Sequence, residues 1–482
     1  MAKHKHKRRK REDDDSDGYD EKPPAKDEGE NSDDEDERDA DGDASDDSDD
    51  EDERFFVACS EGDLATVEEM HAAGAANPEA VEAEEGDTPL GVACRFGHID
   101  VAKWLVAHGA EVTASNFAGE APLHDACLNG GIALIEWLLT LPAMDALLAV
   151  STADAEDEDE DAAASSTVRA IDQPTSQGMT PIGFAALHGH VDAVRALAAK
   201  GADVNVLDAS GHTLIHLACS NGHLETAKAL RGLGIALDAS DEAGRTAMHI
   251  ACGDGHLTTA RWLSEDGKLP FDGADATGAR PLHYACAAGD EPTVRWLLEA
   301  GASVSGATSE GNTPLHHACQ CGSIPMAEAL LAAGASSNAT NADGDTPFLL
   351  SCFGGHVDLC KRLAASAGAA ASSSSSSGGS GDGGLYTQVN SEGCSGLLQA
   401  CAAGHLPLVQ WLLPLAPQLL EKADSEGHTP LAHCCLHGHA ELAEWLLGQG
   451  ATPTKEAAKA AKSHQAVHKL MKKALKDKAG GS

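Results

Sequence analysis

A unit of 33 residues recurs along this chain of 482 residues, and no other feature restricts its fold as strongly. The clearest copies carry similar residues in the same order: "GDTPLGVACRFGH" (86–98), "GHTLIHLACSNGH" (211–223), "GRTAMHIACGDGH" (244–256), "GNTPLHHACQCGS" (311–323) and "GHTPLAHCCLHGH" (427–439). The corresponding glycines lie 33 or 34 residues apart, with two gaps of 59 and 49 residues: Gly86, Gly119, Gly178, Gly211, Gly244, Gly278, Gly311, Gly344, Gly393 and Gly427. Self-similarity at a period of about 20–50 residues indicates a repeat architecture.

Each unit contains the local signals of a pair of short helices. The glycine two residues before the threonine suits a turn that needs a positive φ. Thr313 is a good N-cap, and Pro314 stands at the first helical position, where its missing N–H costs nothing. A "GH" or "GS" pair then ends the helix, and a second helix such as residues 191–201 ends on glycine. One such pair cannot bury its apolar face alone, but stacked pairs can.

Several motifs together resemble the ankyrin repeat. They are "TPLHHAC", the "GH" turn, "WLLEAGA" (296–302) and the D-x-x-G that begins at Asp208, Asp241, Asp275 and Asp424. The resemblance covers roughly residues 54–475, with two interruptions. It implies an all-α fold, a solenoid of helix pairs with short β-hairpin fingers. It also implies that the concave face and the fingertips bind other proteins, and that the chain performs no chemistry of its own.

The units and their interruptions predict seven segments. They are a disordered basic-then-acidic tail (1–53), a capping repeat with two further repeats (54–145), an acidic disordered insertion (146–172), six repeats (173–366), a Ser/Gly-rich insertion (367–386), two repeats (387–451), and a Lys-rich C-terminal cap and tail (452–482). We expect one continuous array rather than three separate blocks, because the units on each side of an insertion keep full apolar faces to bury.

The charge is unevenly distributed and mostly acidic. Of the formal net charge of −43, residues 1–11 contribute +7, residues 12–53 contribute −22, residues 154–161 contribute −7 and residues 455–478 contribute +6. The rest of the chain carries −27, so the repeats themselves are acidic. Acidic surfaces repel phosphate, which argues against direct nucleic-acid binding and favours a basic protein partner.

The hydropathy of the chain and its basic first residues help to predict the cellular compartment of the protein. The sequence has no run of about 18 apolar residues, so it predicts no transmembrane helix and no membrane partner. No apolar stretch follows the basic start, which therefore does not resemble a secretory signal. The 14 cysteines are expected to be reduced thiols rather than a disulfide framework. We expect a nuclear or cytoplasmic monomer, with the nucleus favoured if "KHKHKRRKR" is an import signal rather than a solvated basic end.

Most cysteines occupy one place in the repeat, counted from the capping residue as position zero. Position +6 holds ten of them, with Ala186 as the exception: Cys59, Cys94, Cys127, Cys219, Cys252, Cys286, Cys319, Cys352, Cys401 and Cys435. A small side chain on the packed side of a short helix explains this slot. Cys321, Cys360, Cys394 and Cys434 lie outside it and are the better candidates for thiol reactivity.

The histidines and tryptophans follow the repeat as well. Histidines recur at positions +3 and +10, and the resemblance implies that they hydrogen-bond backbone groups near the fingers and turns. All six tryptophans stand at position +16, where we expect them to fill the core between units. No phosphate loop, Ser/His/Asp set or paired carboxylates stand apart from the repeat. The sequence therefore predicts no catalytic residue, no bound metal and no cofactor.

The stretch "LAHCCLHGH" (431–439) at first looks like a zinc site, because it holds three His and two Cys within nine residues. Alignment with the other units places Cys435 in the packing slot and His439 in the turn. Only Cys434 is left unexplained, either as a tolerated packing variant or as a locally reactive thiol. A metal- or redox-linked regulator would rest on the Cys/His count alone.

The residues that the repeat leaves free are the candidates for partner binding. At the fingertips they are Phe117, Glu120, Ser210, His212, Glu242, Arg245, Thr277, Glu310, Asn312, Asp343, Asp345, Glu426 and His428. Acids outnumber bases in this set, and Phe117 is a candidate aromatic anchor. The alternative is that they are ordinary solvated surface residues.

These observations favour a non-enzymatic scaffold or adaptor that binds a basic protein segment. A second hypothesis is autoinhibition, in which the acidic tail (12–53) masks a binding face or the Lys-rich cap. Ser32, Ser45 and Ser48 lie in acidic contexts and are candidates for phosphorylation, which would add charge to the tail.

Overall fold

The computed structural model describes residues 46–150, 166–373 and 383–480. The chain divides into two compact units, Met1–Ser48 and Asp49–Ser482. The first unit lies almost entirely outside the described residues, so the predictions for the basic start and for most of the acidic tail are not addressed by the structure. Within the described residues, no helix combines the length and the apolar character needed to cross a bilayer.

The described residues form pairs of helices in chain order, which confirms the predicted all-α class. The first helices of the pairs are α1 (Asp46–Glu61), α3 (Pro89–Arg95), α5 (Pro122–Asn129), α7 (Pro181–Leu187), α9 (Leu214–Ser220), α11 (Ala247–Gly253), α13 (Pro281–Ala288), α15 (Pro314–Gln320), α17 (Pro347–Phe353), α20 (Gly396–Ala403), α22 (Pro430–His437) and α24 (Lys455–Ala460). The second helices are α2 (Leu64–Ala73), α4 (Ile99–Ala107), α6 (Ile132–Leu138), α8 (Val191–Ala199), α10 (Leu224–Gly232), α12 (Leu257–Glu265), α14 (Glu291–Glu299), α16 (Ile324–Ala332), α18 (Val357–Ser373), α21 (Leu406–Leu412), α23 (Ala440–Gly448) and α25 (Gln465–Gly480). The remaining elements are α19 (Gly383–Tyr386), strands β1 (Leu147–Val150) and β2 (Ser166–Arg169), and 3-10 turns at Pro142–Asp145, Ala170–Asp172, Pro417–Leu419 and Ala461–Ser463.

The capping residue at position zero starts most first helices in one of two ways. Where position +3 is not histidine, the hydroxyl of the cap accepts a backbone N–H, as Thr88 does from Gly91 at 3.0 Å. Thr180 is an exception, because its side chain makes no capping hydrogen bond. Where position +3 is histidine, its Nδ1 accepts the backbone N–H of the cap, as His316 does from Thr313 at 3.0 Å. Either arrangement satisfies an N–H that the helix itself leaves unpaired.

The core is a row of small and branched side chains between successive first helices. All ten cysteines of position +6 are buried, which confirms their structural assignment. Burial raises the pKa of the Cys319 thiol to about 12, so this sulfur is protonated and unreactive at neutral pH. Trp262 and Trp296 are buried as expected, whereas the other four tryptophans are half-buried at the edge of the core.

The fingers form a backbone ladder that continues past both insertions. One N–H of each finger donates to a carbonyl of the finger before it, as Glu242 does to Ser210. Ser176 donates to Ala118 across the first insertion and Ser391 donates to Asp343 across the second, both at 2.9 Å. Helix α5 also packs against α7, and α17 packs against α20. The repeats on the two sides of each insertion are therefore stacked on one another.

The first insertion is more ordered than the sequence predicts for residues 146–172. Strands β1 and β2 pair antiparallel, with Leu147 opposite Arg169. The guanidinium of Arg169 donates to Asp172 at 2.6 Å and to the carbonyl of Gly201, which ties the hairpin to the next repeat. The acidic run dominates the composition of this insertion, and each strand beside it has only four residues, so neither strand gives a clear sequence signal.

The ends of the other predicted disordered segments also differ from the structure. Helix α1 begins at Asp46, inside the predicted tail, and α18 extends to Ser373, inside the predicted Ser/Gly-rich insertion. Tyr386, at the end of that insertion, packs against the repeats: its ring lies edge-on to Phe348 and to Trp411, with ring centroids 6.0 Å apart in each case. Local composition cannot reveal such a contact between distant repeats.

The C-terminal cap keeps the spacing of the repeat without its finger. Thr454 accepts the N–H of Ala457 at 3.1 Å, as a capping residue does. Ten residues later, His464 Nε2 donates to the carbonyl of Leu436 at 3.1 Å, as the turn histidines do. The cap is thus a twelfth helix pair whose second helix, α25, carries the lysines.

Candidate protein-binding face

Two depressions lie on one face of the stack. The first has a volume of about 310 Å³ and is lined by Tyr284, His317 and Asn312, among others. The second has a volume of about 340 Å³ and is lined by Gln399, His433 and Cys394, among others. Both are lined by repeat positions −1, +4 and +7, and we call this surface, together with the fingertips, the finger face.

The first residue of each finger fixes the shape of that finger. Asp275 Oδ1 accepts the backbone N–H groups of Thr277 at 2.8 Å and of Ala279 at 2.9 Å, and Gly278 takes the positive φ of 80° that the turn requires. The second oxygen, Oδ2, accepts a hydrogen bond from the hydroxyl of Tyr284 at 2.7 Å. Burial raises the pKa of Asp275, but hydrogen bonds from Tyr284 and Thr277 outweigh it and hold the pKa below its usual value.

The same carboxylate arrangement recurs with different partners. Asp208 Oδ2 lies 2.9 Å from His212 Nδ1, and Asp241 Oδ2 lies 2.7 Å from Arg245 Nε. Asp424 Oδ2 lies 2.8 Å from His433 Nε2. The partner comes from position −1 or +4, so these two positions decide which chemistry each finger presents. Their variation between units is the sequence signal that could have identified them.

The structure leaves most of the predicted fingertip residues accessible. Seven are exposed: Phe117, Ser210, Glu242, Thr277, Glu310, Asp343 and Glu426. Five are half-buried: Glu120, His212, Arg245, Asn312 and His428. Thr277, Glu310 and Asn312 lie together at the first depression, although they come from different fingers.

Asp345 is a correction to the prediction that it lies free at a fingertip. It is buried, and the side-chain amide of Gln399 donates to its Oδ1 at 2.7 Å. Gln399 belongs to the next repeat, 54 residues further along the chain, so the sequence alone did not show the pairing. Burial raises the pKa of Asp345, and the bond from Gln399 opposes that rise.

The arginines of the finger face are already paired within the chain. Arg245 bonds Asp241, and Arg95 contacts Asp87 at 2.5 Å and Asp125 at 2.8 Å. By contrast, five exposed finger acids have no Lys or Arg nitrogen within 4 Å among the residues that the structure describes: Glu242, Glu310, Asp343, Glu392 and Glu426. The finger face therefore presents uncompensated negative charge to solvent.

Arg95 lies at the centre of the most acidic group on this face. It is shared between Asp87, Glu120 and Asp125, so no single carboxylate receives its full stabilisation. Burial is the largest influence on Asp125 and, despite Arg95, raises the pKa of that carboxyl to about 7. The pKa of Arg95 is itself raised, because its bonds to Asp87 and Asp125 outweigh the cost of its burial.

The lining of the first depression is both apolar and polar. Ala279, Ala287 and the ring of Tyr284 supply apolar lining, and Glu310 supplies an exposed carboxylate. Burial lowers the pKa of His317 to about 4, so its imidazole is neutral at physiological pH and adds no positive charge here. The depression suits a side chain with an aliphatic stem and a cationic end.

The histidines of positions +3 and +10 have the structural roles that the resemblance implied. His249 Nε2 donates to the carbonyl of Gly273 at 3.1 Å, and His98 Nε2 donates to the carbonyl of Ser60 at 2.8 Å. These rings join neighbouring repeats.

The cysteines outside the packing slot fall into three environments. Cys360 and Cys434 are buried, and Cys434 Sγ donates to the carbonyl of Cys401 at 3.7 Å. Cys321 is exposed, and Cys394 is half-buried. Burial, followed by the nearby charge of Asp424, raises the pKa of Cys394 to about 11. The buried position of Cys434 fits its interpretation as a packing variant.

Only one of the three phosphorylation candidates lies within the described residues. Ser32 and Ser45 lie outside the described residues, and Ser48 lies in helix α1.

Comparisons with known proteins agree with the geometry. One family model, described as ankyrin repeats (3 copies), matches residues 55–149, 158–241 and 381–457. A second, described as ankyrin repeats (many copies), matches residues 282–331. Among solved structures, the ankyrin repeat domain of Bcl-3, described as a unique member of the IkappaB protein family, is 27% identical and covers 48% of this chain and 94% of its own, with a TM-score of 0.37. No protein with a curated description matches the sequence.

Proposed function

The chain belongs to the ankyrin-repeat family, and from this premise we propose that it is a non-enzymatic scaffold or adaptor that binds a basic protein segment along its finger face. Ankyrin repeats generally act as protein-interaction scaffolds. The observation that carries the proposal for this chain is the set of exposed finger acids without a Lys or Arg partner in the described part of the molecule, beside arginines that are already paired.

Charge and shape together support a basic partner. A row of carboxylates steers a cationic segment toward the face and raises its association rate. The first depression takes a lysine or arginine side chain, with the stem on Ala279 and Ala287 and the cationic end near Glu310 and the ring of Tyr284. Phe117, with 70% of its surface exposed, supplies an apolar anchor at another finger. Nucleic acid is disfavoured because the same carboxylates repel phosphate.

A salt titration tests the electrostatic part of this proposal. A fluorescent Lys/Arg-rich peptide is titrated with the full-length protein at about 0.1 M and about 1 M NaCl, between which the Debye length falls from about 10 Å to about 3 Å. We expect affinity to fall at least about tenfold, equivalent to about 1.4 kcal/mol. An acidic peptide of equal length is the control and should not bind. Affinity that is independent of salt would contradict the proposal.

Autoinhibition is the second candidate, and one surface favours it. A groove of about 830 Å³ between α23 and α25 is lined by Lys469, Lys472, Lys473 and Lys476, together with Glu441 and Glu444. The four lysines outnumber the two glutamates, so the groove is basic on balance. The acidic segment within residues 12–53 has the charge to mask such a surface. Because α1 begins at Asp46, the deletion that tests this idea should end at residue 45. Stronger binding of an acidic peptide after deletion supports masking, and unchanged or weaker binding contradicts it.

We also propose a nuclear location, on the basis of the seven Lys/Arg within residues 1–11. A fluorescent fusion of the full chain is expected to accumulate in nuclei, and replacement of those seven residues by alanine is expected to abolish the accumulation. Equal distribution of both fusions would contradict an import signal.

A further inference from the structure

Among the residues that the structure describes, three metal-ligating side chains come together at one place on the finger face. Cys394, Asp424 and His433 each direct one donor atom to this place, and the three atoms lie within 4.8 Å of one another. Cys394 is position −1 of one repeat, Asp424 begins the next finger, and His433 is position +4 of the helix that follows. Only the stacking of two repeats brings these residues together.

The imidazole of His433 has one more polar atom than the finger carboxylate needs from position +4. Tyr284 occupies the same position in an earlier repeat, and its hydroxyl donates to Asp275 Oδ2 as His433 Nε2 does to Asp424 Oδ2. A tyrosine therefore satisfies the finger carboxylate fully. The imidazole adds a second nitrogen, Nδ1, which is buried and has no hydrogen-bond partner in the described part of the chain. An orphaned buried nitrogen of this kind is costly without a ligand.

Cys394 is a second departure from the repeat at the same point. Position −1 holds Arg245 and Asn312 in other repeats, both of which bond neighbouring finger residues. A thiol makes such bonds poorly, and it is the side chain that soft divalent metals prefer. The Asp–His hydrogen bond alone does not explain a cysteine at this point, whereas an ion shared by the three side chains does.

We propose that Cys394, Asp424 and His433 bind one zinc ion. Thiolate, imidazole and carboxylate are the ligands that zinc takes in proteins, at about 2.0–2.3 Å. The thiol releases its proton on binding, so one thiolate and one carboxylate balance the two positive charges of the ion. Asp424 has only 4% of its side chain exposed and His433 13%, so these ligands are held by packing before the ion arrives. Three protein ligands leave a fourth position for water or for a side chain of a partner.

Cobalt is the sharpest probe, because a thiolate bound to Co²⁺ gives a charge-transfer absorption band that carboxylate and imidazole sites do not give. This matters because 77 Asp and Glu residues provide weak background sites for cations. Full-length protein is treated with chelator, dialysed under reducing conditions and titrated with Co²⁺. We expect the band to saturate at one equivalent and to disappear when zinc is added.

Two variants remove ligands from different elements, and each introduces the residue that another repeat carries at the same position. His433→Tyr keeps a donor to Asp424, as Tyr284 provides for Asp275, and Cys394→Asn copies Asn312. Each is expected to lose the band and to weaken binding by more than about 100-fold, beyond the usual cost of losing an outer-shell partner. Cys321→Ser, which removes the exposed thiol, is the control and should retain the band.

The outcomes separate clearly. A band that saturates at one equivalent in the wild type and in Cys321→Ser, and is lost in both ligand variants, supports the zinc site. No band in the wild-type protein overturns the proposal. A band that persists in Cys394→Asn also overturns it, since another cysteine would then bind the metal. Wild-type affinity for Co²⁺ in His433→Tyr overturns it as well, since His433 would then not be a ligand. Circular dichroism confirms that each variant is folded, and the two variants stand on different repeats.

Discussion

His256 Nε2 donates to the carbonyl oxygen of Ser220 at 2.9 Å, which places its ring over Gly222 of the preceding repeat. The same contact recurs between His190 and Leu128 at 3.0 Å. Each turn histidine thus fills the space that a glycine leaves open in the repeat before it. The "GH" pair is a lock between neighbours, in which the glycine of one repeat receives the histidine of the next.

Substitution of the receiving glycine tests this lock. A Cβ on Gly222 would lie 2.5 Å from His256 Nδ1, whereas a Cβ on Gly234 would meet no atom within 4 Å. Both glycines have positive φ, so Gly234→Ala is a matched control that carries the backbone strain alone. We expect Gly234→Ala to cost about 1–2 kcal/mol and Gly222→Ala about 1–3 kcal/mol more, from urea denaturation. Equal losses would contradict the lock.

Stability is expected to fall on acidification, because the histidines of position +3 are buried in the neutral form. Burial lowers the pKa of His124 to about 4 and also lowers that of His316. Between about pH 6.5 and pH 4 the unfolded chain binds protons that the folded chain does not, so the free energy of unfolding decreases as pH falls through this range. Asp125 opposes the trend, because burial raises its pKa to about 7 and this favours the folded state on acidification, so the predicted decrease rests on the several histidines of position +3 acting together.

The contribution of one such histidine can be isolated. Position +3 is Leu349 in another repeat, where the cap Thr346 accepts the N–H of Leu349 at 3.4 Å in place of the histidine contact. His316→Leu is therefore expected to fold and to show a smaller loss of stability between pH 7 and pH 4.5 than the wild type. Urea midpoints across this range provide the measurement. A pH dependence identical to that of the wild type would exclude His316 as a contributor.

The second insertion is expected to be dispensable for stability. The fingers on its two sides are joined by the Ser391–Asp343 bond, so deletion of residues 374–382 shortens the connection between segments that are already in place. Since a doubling of loop length costs only about 0.6 kcal/mol, we expect a change within about 1 kcal/mol. Tyr386→Ala, which removes ring contacts with Phe348 and Trp411, should cost about 1–3 kcal/mol. A larger loss from the deletion than from Tyr386→Ala would contradict this account.

The period of the sequence was sufficient to predict the stack and its packing slots. Cys319 and its counterparts are buried because a slot that recurs with every unit has the same surroundings in every unit. The β1–β2 hairpin could not be predicted in this way, since its strands occur once and flank an acidic run. A property that does not repeat carries no periodic signal.

The finger face was predictable in part. Exposure of Glu242, Glu310 and Asp343 follows from their place in the turn. The burial of Asp345 by Gln399 depends on two residues in different repeats, and the meeting of Cys394 with His433 has the same origin. Within "LAHCCLHGH", the sequence drew attention to Cys434, whereas the structure places the adjacent His433 beside a second cysteine.

The central claim is that uncompensated finger acids attract a basic partner, and a charge-reversal experiment tests it most directly. The variant Glu242→Lys/Glu310→Lys/Asp343→Lys reverses three exposed fingertip acids, and the control Glu136→Lys/Glu265→Lys/Glu299→Lys reverses three exposed acids of the second helices. Both change the net charge equally. Fluorescence anisotropy with the Lys/Arg-rich peptide at about 0.1 M salt should show affinity weakened at least about tenfold by the fingertip variant and far less by the control. Equal weakening by both, or none by the fingertip variant, would contradict the account.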